Sequence, residues 1–424
     1  MSSTSVQHAV TRQPMTVLAS ATLGTLLAGS SVPTPLYHLY QQLWHLSPLT
    51  LTTIFAAYAL SLIVSLLLVG SLSDHVGRRP VIFCSVLLGV VAMLLFATAT
   101  SAAVLVAARV VQGLSTGAAI GALGAAILDT DRRHGPMINS VAPFLGLGVG
   151  AFGSAVLATY APAPTHLVYL VVGGVLLLEA ILVLAQDETA EIRPGAMASL
   201  WPHLAVPPQA RGTLLLITPG NIAVWALSGF YFSLMPSLVQ SATGTSSPLV
   251  GGIVVATLAL SAAGAVLGMR TWPPRRVLAI GTAALAIGVA VTLGGVHLRS
   301  VALLLPGTMI AGIGLGCGFS GAARSLLPLA EPDERAGLLS TFYAQSYLSF
   351  SLPAIAIGTL ARHIGLADAS YLYGAVVILL ASMSFVGSLR KTPLGTGTGA
   401  AISSVQVTQT AEVRQAVQEV RGAR

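Results

Sequence analysis

Charged residues are scarce in this chain. Only 8% of its 424 residues are Asp, Glu, Lys or Arg, whereas a soluble domain carries about a quarter. Hydrophobic residues make up 54%, and the mean hydropathy is +0.84. This composition excludes a disordered chain, a nucleic-acid-binding domain and an ordinary soluble enzyme. Cysteines are equally rare: Cys84 and Cys317 both lie in apolar runs, so a disulfide framework and a zinc site are excluded.

Long apolar runs dominate what is present. A membrane-spanning helix needs about 20 mostly apolar residues, and the backbone in lipid must satisfy its own hydrogen bonds, which favours helices. The sequence therefore predicts an all-α integral membrane protein with 12 transmembrane helices. The predicted spans, numbered one to twelve, cover residues 16–36, 49–72, 80–99, 102–127, 138–159, 165–185, 212–239, 247–269, 277–296, 301–327, 337–360 and 368–389.

The basic residues predict the orientation. Seventeen of the 20 Lys and Arg residues fall on one side of the predicted spans, and only Arg299 and Arg362 fall on the other. Because basic loops stay in the cytoplasm, both termini are expected there. The expected location is the plasma membrane, which is the inner membrane in a bacterium. Arg12 alone precedes the first run, which is too long for a cleaved signal peptide.

The chain divides into two similar halves. The polar stretch 186–211 separates six spans from six, and Asp131-x-Arg-x-Gly recurs as Asp333-x-Arg-x-Gly. Six spans per half give both halves the same orientation, so a pseudo-two-fold axis along the membrane normal is expected, with a site between the halves. The predicted units are an N-terminal segment 1–15, a six-helix bundle 16–185, a central loop 186–211, a second bundle 212–389 and a tail 390–424. The tail has a candidate short helix at Thr410–Val420, with disorder as the alternative.

The loop after span two carries the most specific motif. It runs from Gly70 through Asp74 and Gly77 to Arg78 and Arg79. This sequence resembles the signature loop of the major facilitator superfamily, Gly-x-Leu-x-Asp-x-x-Gly-Arg-Arg/Lys. The glycines permit a tight reversal, and the arginines hold the loop on the cytoplasmic side. The resemblance covers roughly residues 14–390 and implies a transporter fold of two six-helix bundles.

Three further segments are similar to motifs of this superfamily. Span four contains Arg109, Gln112 and Gly113 as Arg-x-x-Gln-Gly. Span one contains Leu23-Gly24 and Pro33-Thr34-Pro35, similar to twelve-span drug:proton antiporters. Span five contains the glycine-rich segment with Gly146 and Gly150, but Ala151 stands where the antiporter motif has proline. Close helix packing is the alternative explanation of these glycines.

Three ionisable residues in or at the ends of spans are candidates for coupling or gating, because charge at depth is costly. Arg109 either faces the central cavity or bonds carbonyls and Gln112 within its own bundle. Glu179 of span six either carries a proton or is a neutral or laterally paired acid. Asp129 either forms a cytoplasmic latch together with Asp74, Arg78 and Arg79, or is a solvated loop charge. The family resemblance places Asp74 near the start of span eleven.

Polar and aromatic side chains in spans one, two, seven and eleven predict the lining of the cavity. Such groups face the protein interior and suit an apolar or amphipathic solute; some are membrane-interface anchors instead. The candidates are Thr25, Ser30, Tyr58, Asn221, Trp225, Tyr231, Tyr343, Gln345 and Tyr347.

These features together predict a secondary transporter that works by alternating access, with proton-coupled efflux of a small solute. The expected partners are that solute, protons and the lipid bilayer, with no nucleic acid, no cofactor and no metal, and the protein is expected to be a monomer. The sequence has no Gly-x-x-x-x-Gly-Lys-Ser/Thr loop for ATP. A nutrient symporter or uniporter is the first alternative. An enzyme or a membrane sensor is remote, because no acids, bases or ligands converge.

Overall fold

Helices account for every regular element in the part of the chain that the structure describes. The computed structural model describes residues 3–389 except 203, 246 and 332–333, with the backbone alone for residues 3–13. The predicted tail, its candidate helix and Asp333 of the repeated string lie outside the described residues. The spans follow in the predicted order: one, Ser3–Ser31 and Pro33–Trp44; two, Pro48–Val69; three, Arg78–Ala97; four, Ala102–Thr130; five, Gly135–Tyr160; six, Leu167–Leu184; seven, Pro208–Ser233 and Met235–Thr243; eight, Pro248–Gly268; nine, Pro274–His297; ten, Val301–Leu326; eleven, Arg335–Ile364; twelve, Leu366–Leu389.

Short elements lie in two of the connections and at the end of span ten. They are the helices Ser73–Val76 and Ala196–Ser199 and a 3₁₀ turn at Leu327–Leu329. The first of them shapes the signature loop between spans two and three.

Span eleven differs from the others in composition. The other eleven spans are long and apolar enough to cross a membrane, whereas span eleven does not meet that measure among the described residues. Its 30 residues would extend about 45 Å, which is ample for a bilayer. Ser346, Ser349 and Ser351 are buried in the protein, so its polar groups are shielded from lipid.

Spans one and seven are longer than predicted. Span one continues to Trp44 rather than ending near residue 36, and span seven runs from Pro208 to Thr243. Polar residues such as Gln41 interrupt the apolar run, but Gln41 Oε1 accepts a hydrogen bond of 2.6 Å from Ser237 Oγ across the two spans. The polar ends are therefore stabilised by each other rather than by water alone.

The packing of the spans repeats between the halves. Span four contacts spans one, two and three, and span ten contacts spans seven, eight and nine. Likewise spans one and five pair as seven and eleven do, and spans three and six pair as nine and twelve do. The halves meet where span five packs on span eight and span two packs on span eleven. Each contact has a counterpart six spans later, as a parallel repeat requires.

Spans one and seven break at corresponding places. Val32 separates the two helices of span one, and Leu234 separates those of span seven. Pro236 lacks an N–H, which frees the carbonyl of Phe232 four residues earlier. Thr34 Oγ1 of span one donates a buried hydrogen bond of 2.9 Å to this carbonyl. The break in one half is thus stabilised by the other half.

Candidate functional site

The break in span one is held by two polar side chains of span four. Pro33 has no N–H, so the carbonyl of Gly29 loses its helical partner. Gln112 Nε2 donates a hydrogen bond of 2.9 Å to that carbonyl. Arg109 Nη1 donates to the carbonyl of Ser30 and to Gln112 Oε1, both at 2.8 Å. The Arg-x-x-Gln pair therefore satisfies backbone acceptors that the proline-induced break exposes.

Arg109 is fully buried and surrounded by aromatic rings. Its Nε and Nη2 donate to the hydroxyl of Tyr37 at 3.1 and 2.7 Å. Its guanidinium carbon lies 5.7 Å from the ring centres of Tyr37 and Phe96 and 5.4 Å from that of Tyr58. None of the ion pairs among the described residues includes Arg109. Oxygen dipoles and π faces therefore balance its charge; exposure of Arg109 to a central cavity stays a prediction.

Aromatic rings join the two halves at their contact. Phe55 of span two lies 4.7 Å from Phe350 of span eleven between ring centres. Phe144 of span five lies 6.1 Å from Phe319 of span ten, edge to face. These two pairs cross the boundary between the halves, and both pairs connect to Trp225.

Trp225 occupies the centre of this group of rings. Its ring centre lies 5.1 Å from Tyr347, 5.6 Å from Phe350 and 5.9 Å from Phe319. Its Nε1–H is buried and has no hydrogen-bond acceptor among the described residues. Two more rings extend the contacts along span eleven. We call the whole set the central aromatic cluster: Phe55, Phe144, Trp225, Phe319, Phe342, Tyr343, Tyr347 and Phe350.

A neutral polar network lies between spans seven and eleven. Asn221 Nδ2 donates to Ser346 Oγ at 3.0 Å and to Gln345 Oε1 at 3.3 Å. Gln345 Nε2 donates to Thr218 Oγ1 at 2.8 Å. Asn221 and Gln345, two of the predicted cavity residues, therefore take part in a network that joins these two spans. Contact of either residue with a solute stays a prediction.

Glu179 lies on the buried face of span six, where it meets span one. Its Oε1 accepts a hydrogen bond of 2.8 Å from Thr25 Oγ1. Its Oε2 is buried and has no partner among the described residues. Thr25, a predicted cavity residue, thus contacts span six rather than the central aromatic cluster. A carboxyl group at this depth marks a functional candidate.

Tyr231 is another cavity candidate that lies away from the central aromatic cluster. Its hydroxyl lies 3.0 Å from Thr308 Oγ1 and 3.3 Å from Thr292 Oγ1. These contacts join spans seven, nine and ten inside the second half. The 3.6-residue period places Tyr231 on a different face of span seven from Trp225, which separates the two rings.

The predicted charge cluster at the signature loop is present in the structure. Arg78 Nη1 forms an ion pair with Asp74, and Arg78 Nε lies 3.4 Å from Asp129 Oδ2. Arg79 Nη2 instead contacts the carbonyl of Leu184, at the end of span six. These contacts join the loop to spans four and six of the same half; the role of this cluster as a latch between conformations stays a prediction.

Glu188 completes this cluster and was not predicted. Its carboxylate accepts hydrogen bonds from the backbone N–H of Arg78 at 2.8 Å and of Arg79 at 3.1 Å. These are free N–H groups at the start of span three, where a negative charge is favourable. Gly77 has a φ of +102°, and a Cβ there would lie 2.5 Å from Glu188 Oε2. Glycine at this position therefore serves both the backbone conformation and the carboxylate contact.

The central loop contacts both halves on this side. His75 Nδ1 lies 3.2 Å from the carbonyl of Arg193, and the N–H of Ala205 donates to the carbonyl of Gly337 at 3.4 Å. Thr341 Oγ1 donates to the carbonyl of Ala205 at 3.3 Å. The central loop thus provides these contacts to the start of span eleven. The backbone carbonyl of Asp74 accepts a hydrogen bond from the N–H of Arg193 in the same loop.

Three of the remaining motif glycines lie at close helix contacts. A Cβ on Gly113 would collide with the backbone of Tyr58 in span two, and one on Gly146 or Gly150 would collide with the backbone of span one. These three positions favour the packing explanation. At Gly70, a Cβ would instead meet the carbonyl of Leu66, one turn earlier in span two.

The repeated loop is ordered by Asp131. Its Oδ1 accepts from the N–H groups of His134 at 2.8 Å and Arg133 at 3.0 Å. The hydrogen bonds of His134 lower the pKa of Asp131 below its usual value. This is the Asx geometry of a tight turn, and it begins span five.

The sequence reasoning missed Phe144, Phe319, Phe350 and Glu188. The three phenylalanines sit in ordinary apolar runs, and only their helical phase places them at the boundary between the halves. Glu188 could have been suspected because it is an acidic residue in the loop on the same side of the membrane as Arg78 and Arg79, which begin span three. No group of three or more possible metal ligands occurs among the described residues.

The chain matches a protein family and, over part of its length, one characterised protein. Residues 18–269 match the family described as Major Facilitator Superfamily. Multidrug resistance protein D of Escherichia coli (strain K12) is 35% identical over 97 residues, which are 23% of this chain and 24% of that protein. The match thus spans about a quarter of that relative's length.

Solved transporter structures share the fold over most of the chain. The nucleoside transporter NupG, solved as a point mutant, matches 89% of this chain and 100% of its own at a TM-score of 0.71 and 11% identity. The human organic anion transporter MFSD10 (TETRAN) matches 88% of this chain and 99% of its own at a TM-score of 0.64 and 17% identity. At these identities the likeness shows the fold alone.

Proposed function

Because the chain belongs to the major facilitator superfamily, we propose that it is a secondary transporter that exports a small apolar or amphipathic solute in exchange for protons. The observation that carries this proposal is the central aromatic cluster at the contact between the two halves. Solute sites of such folds lie between the repeats at mid-depth. The partial likeness to a multidrug resistance protein supports export.

The chemistry of the central aromatic cluster favours an uncharged solute surface. None of the cation–π contacts in the described part of the chain involves one of its rings. The polar groups beside it on spans seven and eleven are the amides and hydroxyls of Asn221, Gln345 and Ser346. Aromatic walls with a few neutral hydrogen-bonding groups bind apolar and amphipathic molecules.

The two sides of the protein offer separate closures for alternating access. On the side that holds residues 41 and 237, direct hydrogen bonds join spans one and seven of opposite halves. On the arginine-rich side, the central loop bridges the signature loop and span eleven. We assign the arginine-rich side to the cytoplasm by the positive-inside rule, which makes the first closure external.

Glu179 is the group to which we assign proton coupling. It is a carboxyl group inside a span, its Oε1 accepts a hydrogen bond from Thr25 of span one, and it forms none of the ion pairs of the described residues. Movement of span one relative to span six would change that bond. Because span one also contains the helix break that Arg109 and Gln112 stabilise, proton binding at Glu179 would be linked to the geometry of this break. Asp74, Arg78, Asp129 and Glu188 are assigned to closure of the cytoplasmic side.

Purified protein in liposomes tests the proposal. Vesicles are loaded with an amphipathic fluorescent dye and a lumenal pH indicator, and dye efflux is started by dilution. Exchange predicts that outward dye flux acidifies the lumen in proportion to protein. Alkalinisation with outward flux would support a symporter, and dye flux without any pH change would support a uniporter. Protein-free vesicles and Arg109→Met vesicles are the controls.

A further inference from the structure

The indole N–H of Trp225, near the middle of span seven, is a buried hydrogen-bond donor that has no acceptor among the residues that the structure describes. A buried, unpaired donor is destabilising, and almost all such groups in native proteins are satisfied. Here the Nε1 atom is fully covered and has no acceptor among the described residues, and the indole ring is in contact with three other aromatic rings. The residue is therefore held in an unfavourable state that the fold alone does not explain.

The position of Trp225 separates it from the other buried polar groups of span seven. Asn221, one turn earlier, is satisfied by Ser346 and Gln345, and Tyr231 lies beside Thr292 and Thr308. Ser228 donates to the carbonyl of Val224 at 2.9 Å. Satisfied neighbours within two turns show that this part of span seven readily finds partners. Trp225 thus differs from these three neighbours on span seven, and it is the residue of the central aromatic cluster whose buried polar atom has no partner among the described residues.

The rings around Trp225 limit what could supply an acceptor. Tyr347, Phe350 and Phe319 contact the indole with ring centres 5.1–5.9 Å away, the separation at which aromatic groups attract each other. A flat aromatic molecule that displaces one of these rings would form new ring–ring contacts with the indole, so little interaction energy would be lost. An aliphatic molecule would lose the attraction between aromatic rings. An anionic molecule would find no positive side chain among these rings, and a cationic one would find ring faces but no carboxylate.

From these observations we propose that Trp225 is a specificity-determining residue whose indole N–H donates a hydrogen bond to an acceptor on a neutral, planar aromatic solute. This inference rests on the proposed function, since it assigns a chemical class to the solute of the same site. The hydrogen bond satisfies a donor that is otherwise buried and unpaired, so an acceptor on the solute adds affinity rather than exchanging one bond for another.

Two probes that differ by one carbonyl oxygen test the assignment. Fluorenone and fluorene are neutral planar aromatics, and only fluorenone carries an acceptor. Affinities are measured by competition with the transported dye in liposomes. We expect fluorenone to compete about tenfold more strongly, the effect of one hydrogen bond to an unpaired donor. In Trp225→Phe, which keeps a ring, the ratio should fall to about one while both probes still compete.

A matched control and a spectroscopic readout separate recognition from folding. Trp201→Phe changes an exposed tryptophan and should keep the wild-type ratio. In protein with ¹⁵N-labelled tryptophan, the indole signal lost in Trp225→Phe should shift downfield with fluorenone and not with fluorene. An unchanged ratio in Trp225→Phe, or no shift on saturation, overturns the proposal. Dye transport that neither probe inhibits also overturns it while leaving the transporter function intact.

Discussion

The two halves of the molecule share one packing plan but fill their interiors with different chemistry. In the first half, buried polar contacts centre on ionisable groups, namely Arg109 with Tyr37 and Glu179 with Thr25. In the second half, the corresponding contacts are neutral, as in Tyr231 with Thr308. A fold built from a repeat does not require this asymmetry. It is consistent with the proposed assignment of proton coupling to Glu179 in the first half, whereas the second half holds a neutral polar scaffold.

The arginine-rich side shows the same contrast between a charged partner in the first half and neutral partners in the second half. The arginine lies at the loop in the first half and at the end of the span in the second. In the first half, Arg78 of the loop reaches a carboxylate at the end of span four, Asp129. In the second half, Arg324 at the end of span ten reaches back to the loop and donates to the carbonyls of Trp272 at 2.8 Å and Met269 at 3.4 Å. Both halves thus join the same two elements, and among the described residues the ion pair that does so lies in the first half.

The largest expected effect comes from removing the buried charge of the first half. Arg109→Met should abolish dye transport and lower the free energy of unfolding by several kcal/mol, because the acceptors of Ser30 and Gln112 lose their donor at roughly 1–3 kcal/mol each. The matched change in the second half, Tyr231→Phe, should cost about 1 kcal/mol and retain transport. Dye efflux and denaturant unfolding measure both. Equal losses in the two variants would remove the proposed asymmetry.

The next effect concerns coupling. Glu179→Gln keeps the size and hydrogen-bonding capacity of the side chain but cannot exchange a proton, so proton-driven dye efflux should fall at least tenfold while dye exchange without a gradient continues. Its control is Ser384→Ala, which alters a buried hydroxyl on span twelve and should leave both rates near wild type. Gradient-driven efflux that survives in Glu179→Gln would move the proton site elsewhere.

A smaller effect is expected from the neutral network of the second half. Asn221→Ala removes the hydrogen bonds to Ser346 and Gln345 and should lower the free energy of unfolding by about 1–2 kcal/mol. Since no charge is involved, the loss should be the same at low and high salt. Thermal unfolding in 0.05 M and 1 M NaCl measures it. A strong salt dependence would show that this network is not the neutral scaffold that we describe.

The smallest effect should come from the charge cluster at the signature loop. Asp129→Asn should cost about 0.5–1 kcal/mol, because the pair with Arg78 is partly exposed to water. The loss should shrink in 1 M salt, where exposed charges are screened. In Arg324→Gln, whose partners are carbonyls, salt should matter less. The same thermal unfolding series compares the two; an identical salt response would erase the contrast between the halves on this side.

The sequence predicted the helices better than the contacts between them. Each of the twelve predicted spans matches a helix or a pair of helices. For eleven of them, apolar length is sufficient to indicate where the chain can cross lipid. The motif Arg109-x-x-Gln112-Gly113 indicated a buried polar site, but the carbonyls that it satisfies depend on Pro33, 76 residues before Arg109 in the chain. Such a pairing follows only from how span one packs on span four.

The sequence could not predict how each helix is rotated about its own axis, and therefore which of its side chains face the neighbouring helices. Phe144 and Phe319 lie in ordinary apolar runs and were not among the predicted site residues, yet they meet at the boundary between the halves. Thr25, which the sequence predicts to line the cavity, contacts Glu179 of span six. A change in rotation of less than half a turn decides which of these outcomes occurs, and helical periodicity in nearly uniform apolar runs carries little information about it.

Cross-linking the closure that we assign to the external side tests the central proposal most directly, namely that the two halves move about a shared site. In a variant with Cys84→Ser and Cys317→Ala, Gln41→Cys and Ser237→Cys are joined by a short thiol cross-linker across residues whose side chains now lie 2.6 Å apart. The control joins Thr16→Cys to Thr130→Cys within the first half, 2.7 Å apart. We predict that the first cross-link stops dye efflux until it is reduced, while the control does not. Full efflux through protein that is quantitatively cross-linked at residues 41 and 237 would contradict the account.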